Sequence, residues 1–242
     1  MIVTQNLSTV NADSETPIWL YSGAGWIIQM AEEGGLPVDG LADYISEKED
    51  VIADEDCFES VHQNTNRDLR SMTCIAEFLF SEGDLRSAWA RYRPNKFALQ
   101  TSIDRLSRGL QEDEFNLYAV PITSYTQLNS VSYSGQDSTQ SSIVASEFAS
   151  QFSYKGSTHD REQAIRLIAV PTSVIDNHGT IDLQWLSRTT LGDKPVIDAD
   201  LETLIDRIIV SPHGSGWIAD LLNQYLHDDF DLIDKVQNSS LV

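Results

Sequence analysis

The stretch DLETLIDRIIVSPHGSGWIADLLNQYL, residues 200–226, decides the fold of this 242-residue chain. Apolar residues at helical spacing follow Asp200, and the β-branched run Ile208–Val210 comes next. A turn sequence that starts at Ser211 separates this run from a second helical apolar pattern, which begins at Trp217. The stretch therefore predicts a short helix, a buried strand, a tight turn and an amphipathic helix.

Upstream of this stretch, strand-like and helix-like patterns alternate without a regular βαβ rhythm. Apolar runs predict strands at 17–21, 73–80, 96–101, 117–125, 164–170 and 181–186. Helices are predicted from Trp26 to Gly34, through Trp89 and Tyr92, from a Thr101–Asp104 capping box through Leu110, and over 142–154. The predicted core contains Trp19, Trp26, Trp89, Leu99, Leu106, Ile165, Leu167, Ile209, Leu221 and Leu222. This mixture predicts an α+β fold.

The predicted organisation is a single α+β domain over 17–242, with a mixed central sheet flanked by short helices. Residues 1–16 are predicted to be a loose arm. No stretch approaches the roughly 20 apolar residues of a membrane span. The arm lacks the basic start and apolar run of a secretory signal. Cys57 and Cys74 lack CxxC spacing and suit buried positions in a reduced chain. We therefore expect a cytoplasmic protein that does not bind membranes.

The formal net charge is −21 and the isoelectric point is about 4.3. One interpretation is an acidic mimic of nucleic acid that occupies a basic partner protein. The other is a halophilic surface, kept soluble in a salty cytoplasm where charge repulsion is screened. We favour the second, because the acidic residues are scattered along the chain. The chain has no basic patch, so we expect no direct binding to nucleic-acid backbone.

Several short motifs occur in a characteristic order. They are Trp-Ala-Arg-Tyr (89–92), Ala-Leu-Gln-Thr (98–101), Asp-Arg-Leu (104–106), Glu-x-x-x-Arg (162–166), Leu-Glu-Thr-Leu-Ile (201–205), Ile-Val-Ser-Pro (209–212), Trp217 and a Ser-Ser-Leu ending. Over about residues 70–241 the chain thus resembles the family catalogued as domain of unknown function 2971, which has no established activity. Leu20 and Ala164 stand where members often carry an arginine and a glutamate. The scaffold motifs match better than the polar ones.

Glu162 and Arg166 are the first candidate pair, because two opposite charges four residues apart flank the start of a predicted strand. They form either an ion pair that fixes the fold or part of a nucleotide-binding cleft. In the cleft, Arg166 would hold a phosphate and Glu162 a ribose hydroxyl. The five histidines have no close metal-ligand spacing, so no metal site is predicted.

Trp89, Arg91 and Tyr92 form a dense aromatic and cationic cluster. The cluster is either the rim of a pocket that stacks a base and meets an anion, or two core aromatics beside a solvated arginine. Ser211 opens the Ser-Pro-His-Gly-Ser-Gly turn before the last helix. Such a turn can bind an anion at the helix N-terminus, whereas the simpler interpretation is that Ser215 caps the helix.

Three functions follow from these features. The first is a non-catalytic binding or regulatory protein of a mobile element, virus or defence locus, with a protein partner. The second is a nucleotide-using enzyme, similar in its pattern to ADP-ribosyltransferase-like folds, with NAD as the cofactor, Glu162 as the catalytic acid and Tyr21 or Tyr92 stacking the nicotinamide. The third is the acidic nucleic-acid mimic. We favour the first, because the polar residues of the family are missing.

Overall fold

The structure, a computed structural model, describes residues 3–4, 13–40, 73–80, 96–111, 115–124, 142–150, 154–155, 164–182, 196–212, 216–230, 232 and 235–239. The chain divides into two compact units. Unit 1 comprises Met1–Ala12, Val38–Glu77 and Glu112–Pro195, and unit 2 comprises Asp13–Pro37, Phe78–Gln111 and Val196–Val242. The predicted α+β class, with a mixed sheet and short helices, is confirmed. The domain boundary at residue 17 stays a prediction.

Fifteen strands and five α-helices have described bounds. The strands are β1 Val3–Thr4, β2 Pro17–Gly23, β3 Gly35–Pro37, β4 Asp39–Gly40, β5 Cys74–Leu79, β6 Lys96–Ser102, β7 Phe115–Pro121, β8 Thr123–Ser124, β9 Ser142–Val144, β10 Tyr154–Lys155, β11 Ala164–Pro171, β12 Thr180–Asp182, β13 Val196–Asp198, β14 Arg207–Val210 and β15 Val236–Asn238. The helices are α1 Ala24–Glu33, α2 Ile103–Gly109, α3 Ala145–Ser150, α4 Leu201–Leu204 and α5 Gly216–Phe230, with a 3-10 turn at Thr172–Val174.

The sheet of unit 1 centres on β11, whose eight residues are all buried. β11 pairs antiparallel with β7, from Ile165 opposite Pro121 to Pro171 opposite Phe115. β1 lies parallel to the far side of β7, and β5 follows β11 on the other side. Burial on both faces explains why β11 reads as a nearly continuous apolar run rather than an alternating one. Its only charged residue is Arg166.

In unit 2, β2 pairs antiparallel with β6, from Pro17 opposite Ser102 to Gly23 opposite Lys96. β6 then pairs antiparallel with β14, and β15 lies parallel to β14. Successive residues of a strand face opposite sides of a sheet. One face therefore carries the buried residues Ile18, Phe97, Leu99, Ile208 and Val210. The opposite face carries Trp19 and Ala98, with the partly buried Tyr21 and Ile209 packed against them.

Three helix predictions are changed in detail by the structure. α1 ends, as predicted, at Gly34, which adopts the left-handed conformation with φ 66°, but it begins at Ala24 rather than at Trp26. α2 is capped by Ser102, whose hydroxyl accepts from the Arg105 N–H, and not by Thr101. The helix predicted over 142–154 begins only at Ala145, because residues 142–144 pair with β12 as strand β9. Local patterns placed these elements but not their first residues.

Most of the predicted core is buried. Trp19, Leu99, Leu106, Ile165, Leu167 and Leu222 are buried, Trp26 and Ile209 are half-buried, and Trp89 lies outside the described residues. The prediction for Leu221 was wrong, because that side chain is exposed. Cys74 is buried as predicted, and burial raises the pKa of its thiol to about 12, so it is not a reactive thiolate.

Candidate functional site

The carbonyl end of α4 is surrounded by three side chains from other elements, which we call the α4 carbonyl cluster. The Thr101 hydroxyl donates to the Leu204 carbonyl at 2.6 Å, and the Arg105 guanidinium donates to the Thr203 carbonyl at 2.9 Å. Lys235 Nζ donates to the Ile205 carbonyl at 2.7 Å and to that of Glu202. The last carbonyls of a helix have no partner within the helix. Here side chains supply the partners.

The two cations of this cluster are engaged. Arg105 Nη2 lies 3.2 Å from Asp206 Oδ1, and the ammonium group of Lys235 donates to backbone carbonyls. Burial, and then the nearby charge of Arg105, lower the pKa of Lys235. At the other end of α4, the Asp200 carboxylate accepts from the Thr203 N–H at 3.2 Å. The cluster therefore fixes the fold of unit 2.

α2 packs on α4 at very short range. A Cβ atom added at Gly109 would stand 2.9 Å from the Cα, Cβ and N atoms of Leu204. The Gly109 carbonyl also accepts from the Asp200 N–H at 2.7 Å. Only a glycine fits this approach without displacing backbone.

The face of β6 opposite to Thr101 carries buried polar atoms without hydrogen-bond partners in the described structure. Trp19 on β2 and Gln100 on β6 are direct cross-strand partners, so their side chains lie on the same face. They are 4% and 6% exposed. Among the residues that the structure describes, neither the indole Nε1 of Trp19 nor the Oε1 of Gln100 has a hydrogen-bond partner. A buried polar group left unsatisfied costs ~1–3 kcal/mol. We call these two residues the Trp19–Gln100 pair.

Tyr21 is the predicted site residue closest in the fold to this pair. It lies two residues after Trp19 on β2, opposite Ala98, and its partly buried ring packs against Trp19 and Ala98. Ile209 on β14 borders the same small cluster. Tyr21 therefore lies on an apolar surface beside a buried donor and a buried acceptor, which the sequence did not reveal.

Arg166 is buried in β11 of unit 1, and its Nε lies 3.2 Å from Glu77 Oε2 on β5. The two side chains are 2% and 12% exposed. The predicted partner Glu162 lies outside the described residues, so the predicted Glu162–Arg166 pair stays a prediction. The contact links β11 to its neighbouring strand β5, and each buried charge needs its partner.

The remaining predicted site residues are not brought together by the described structure. Ser211 is buried directly after β14, and the turn at 213–215, including the proposed cap Ser215, lies outside the described residues. The aromatic and cationic cluster of Trp89, Arg91 and Tyr92 also lies outside them. Their proposed roles stay predictions.

α5 carries two apolar stripes, one buried and one exposed. Ile218, Ala219, Leu222 and Leu226 are buried on one. Trp217 and Leu221 lie four residues apart, hence on one side of the helix, and are 64% and 56% exposed. We call these two residues the α5 apolar face. The sequence pattern placed Leu221 in the core because a helix with two adjacent apolar stripes cannot be oriented from periodicity alone.

Acidic residues flank the α5 apolar face. Asp220 is exposed on the same helix. On α1, Glu32 accepts a hydrogen bond from the Tyr225 hydroxyl at 2.9 Å, and the neighbouring Glu33 is exposed. An apolar centre with a charged rim is the usual composition of a protein interface.

Comparison of the chain with protein-family models, with curated proteins and with solved structures found no match. The resemblance to domain of unknown function 2971 therefore stays a prediction. Within the described residues, no three His, Cys, Asp or Glu side chains are grouped so that they could hold a metal ion. None of the described helices is long and apolar enough to span a membrane.

Proposed function

We propose that this protein is a non-catalytic binding protein whose α5 apolar face docks a basic partner protein. The observation that carries the proposal is the exposure of Trp217 and Leu221 at adjacent positions on one helix. Single exposed apolar residues are ordinary on protein surfaces. A tryptophan and a leucine side by side are not, and tryptophan is the residue most enriched among the anchors of protein interfaces.

The charge of the chain supports a basic partner. The net charge of −21 attracts cationic surfaces over a Debye length and repels a second copy of the chain. Asp220 and Glu32 place part of that charge beside the α5 apolar face. A partner segment with apolar residues on one side and Lys or Arg around them would meet both features. An amphipathic basic helix has this form.

The cytoplasmic location, the halophilic adaptation and the role in a mobile element, virus or defence locus belong to the same proposal. They are supported by the acidic composition and by the polar family residues that this chain lacks. The acidic mimic also binds a basic partner, but it would do so through charge alone. The contribution of the α5 apolar face separates the two.

The test is titration of a fluorescently labelled amphipathic Leu/Lys peptide, followed by anisotropy. The variant Trp217→Ser/Leu221→Ser should bind at least ~10-fold more weakly, since hot-spot residues contribute ~2 kcal/mol or more. Val144→Ser is the matched control, because Val144 is also apolar and exposed, at 40%, but lies in unit 1. Equal affinity of the double variant and the wild type would overturn the proposal.

A salt series with the same peptide distinguishes the mimic. If charge alone binds the peptide, affinity falls steeply with salt and the double variant follows the wild type at every concentration. If the α5 apolar face contributes, a difference between the two proteins persists at high salt. Both variants replace exposed side chains, so their melting temperatures should match that of the wild type and rule out unfolding as the cause.

A further inference from the structure

We propose that the Trp19–Gln100 pair is a recognition site for a small, neutral, planar ligand that carries an amide edge, either a primary carboxamide or a ring lactam. The site lies on the face of the unit 2 sheet that bears Tyr21, and it is independent of the α5 apolar face. The proposal rests on the placement and the chemistry of the two buried polar atoms.

The two atoms are brought together by the strand register. Trp19 and Gln100 stand directly opposite each other on antiparallel strands, where Cβ atoms are ~4.5–5.5 Å apart. The indole and the carboxamide therefore extend side by side from one face of the sheet. A single small group could therefore contact both atoms once the side chains that cover them move aside.

The chemistry of the pair selects the ligand. The indole Nε1–H can only donate, whereas Gln100 Oε1 can only accept. A ligand must offer an acceptor to Trp19 and a donor to Gln100 at adjacent positions, as the C=O and N–H of an amide do. A carboxylate offers acceptors alone and an ammonium donors alone. A neutral group also avoids repulsion from a chain of net charge −21.

The surroundings favour a flat ligand. Opposite Tyr21 stands Ala98, whose methyl group rises little above the sheet, while Trp19 and Ile209 border it. Ala98 is fully buried, so the ring of a ligand can pack against Tyr21 or Trp19 only where these side chains move aside. Both orphaned polar atoms are covered, so a ligand must displace the side chains that cover them. Hydrogen bonds from a ligand to both atoms would offset the free energy that the two unsatisfied groups cost the ligand-free protein.

The test is NMR of ¹⁵N-labelled full-length protein with benzamide as the probe. The Trp19 indole resonance is assigned by its loss in Trp19→Phe. Benzamide should shift this resonance in a saturable manner. Methyl benzoate, which has the same ring and carbonyl but no N–H donor, should bind at least ~10-fold more weakly, because Gln100 then stays unpaired. Gln100→Met should abolish the preference for benzamide.

Gln237→Met is the matched control, because Gln237 is exposed on β15, beside Ile209. It should bind benzamide like the wild type. An indole resonance that benzamide leaves unmoved, or equal binding of benzamide and methyl benzoate, would overturn the proposal. So would an indole hydrogen bond already present in the free protein and lost in Gln100→Met, since the pair would then satisfy itself.

Discussion

Thr101 and Gln100 are neighbours on β6 and lie on opposite faces of the strand, and their polar side-chain atoms differ in hydrogen bonding. Thr101 is fully buried, and its hydroxyl donates to the Leu204 carbonyl at 2.6 Å. Gln100 is buried as well, but its Oε1 has no hydrogen-bond partner in the described part of the chain. The Thr101 hydroxyl on one face thus has a partner, and the Gln100 Oε1 on the other face has none within the described residues.

This difference separates a stabilising region from a candidate binding region. In the α4 carbonyl cluster, side-chain donors supply partners to carbonyls that would otherwise have none within the helix. The Trp19–Gln100 pair lowers stability in the ligand-free protein, and such local costs are typical of functional sites. Removing polar atoms should therefore have opposite consequences in the two regions, and the following variants test that contrast.

The largest effect on stability is expected at Arg166 in unit 1, whose buried charge is paired with Glu77. Arg166→Met removes the cation that lies 3.2 Å from Glu77, whose side chain is only 12% exposed. Loss of one member of a buried ion pair costs ~3–5 kcal/mol. Urea denaturation should show this loss, and the double variant Arg166→Met/Glu77→Leu should regain most of it. If Arg166→Met were as stable as the wild type, Glu77 would not need a compensating charge at this buried position.

The next effect is expected at Thr101. Thr101→Val keeps the shape but leaves the Leu204 carbonyl without its donor, at a cost of ~1–3 kcal/mol. Thr101→Ser keeps the hydroxyl and is the control for the hydrogen bond. The midpoint of urea denaturation checks both variants. If Thr101→Val were as stable as the wild type, the hydrogen bond of Thr101 would not stabilise its face of β6.

A smaller, pH-dependent effect is expected at Asp200, the cap of α4. The Thr203 hydroxyl, and then its N–H, lower the pKa of Asp200 below its ordinary value of 3.8. Its contribution is therefore present above pH 3.8 and is lost as the pH falls through the lower folded-state value. Asp200→Ala should cost ~0.5 kcal/mol at neutral pH, the low end for a cap because Asp200 is exposed.

The difference between Asp200→Ala and the wild type should shrink in acid. Denaturation at pH ~7 and pH ~3 measures it. Asp200→Asn keeps a capping oxygen without the charge, so its stability should lack this pH dependence. A gap that does not change with pH would mean that the carboxylate charge contributes nothing to the cap.

The smallest effect is expected at Gln100. Gln100→Met removes an orphaned acceptor and keeps the length of the side chain, so stability should be unchanged or should rise by up to ~1 kcal/mol. Urea denaturation beside Thr101→Val compares the two faces of β6 directly. A loss as large as that of Thr101→Val would show that Gln100 makes a stabilising contact and would remove the contrast.

Much of the fold could be predicted because local patterns determine it. The strands at β2, β5, β6 and β11 follow from apolar runs, and the end of α1 follows from Gly34. The exceptions depend on distant contacts. Thr101 fits a capping box, yet it lies within strand β6 and its hydroxyl donates to the Leu204 carbonyl, about a hundred residues away. Ser102, the residue directly before α2, caps the helix.

The candidate sites were less predictable for the same reason. Tyr21 was singled out from the sequence, but its neighbours Trp19 and Gln100 acquire a role only through the register of β2 and β6. Arg166 was expected to pair with Glu162 by spacing, and that pair stays a prediction; its contact with Glu77 on β5 could not be read from spacing. Leu221 looked like a core residue because a pattern shows that a stripe is apolar and not what covers it.

The approach of α2 to α4 has a consequence for which sequences this protein can accept. A substitution at Gly109 would force Leu204 away and shift the carbonyls that Thr101, Arg105 and Lys235 hold. Gly23 and Gly25 have open space around them. In a library of random variants, position 109 should admit only glycine, while positions 23 and 25 should drift freely. A single missing side chain thus limits how this protein can evolve.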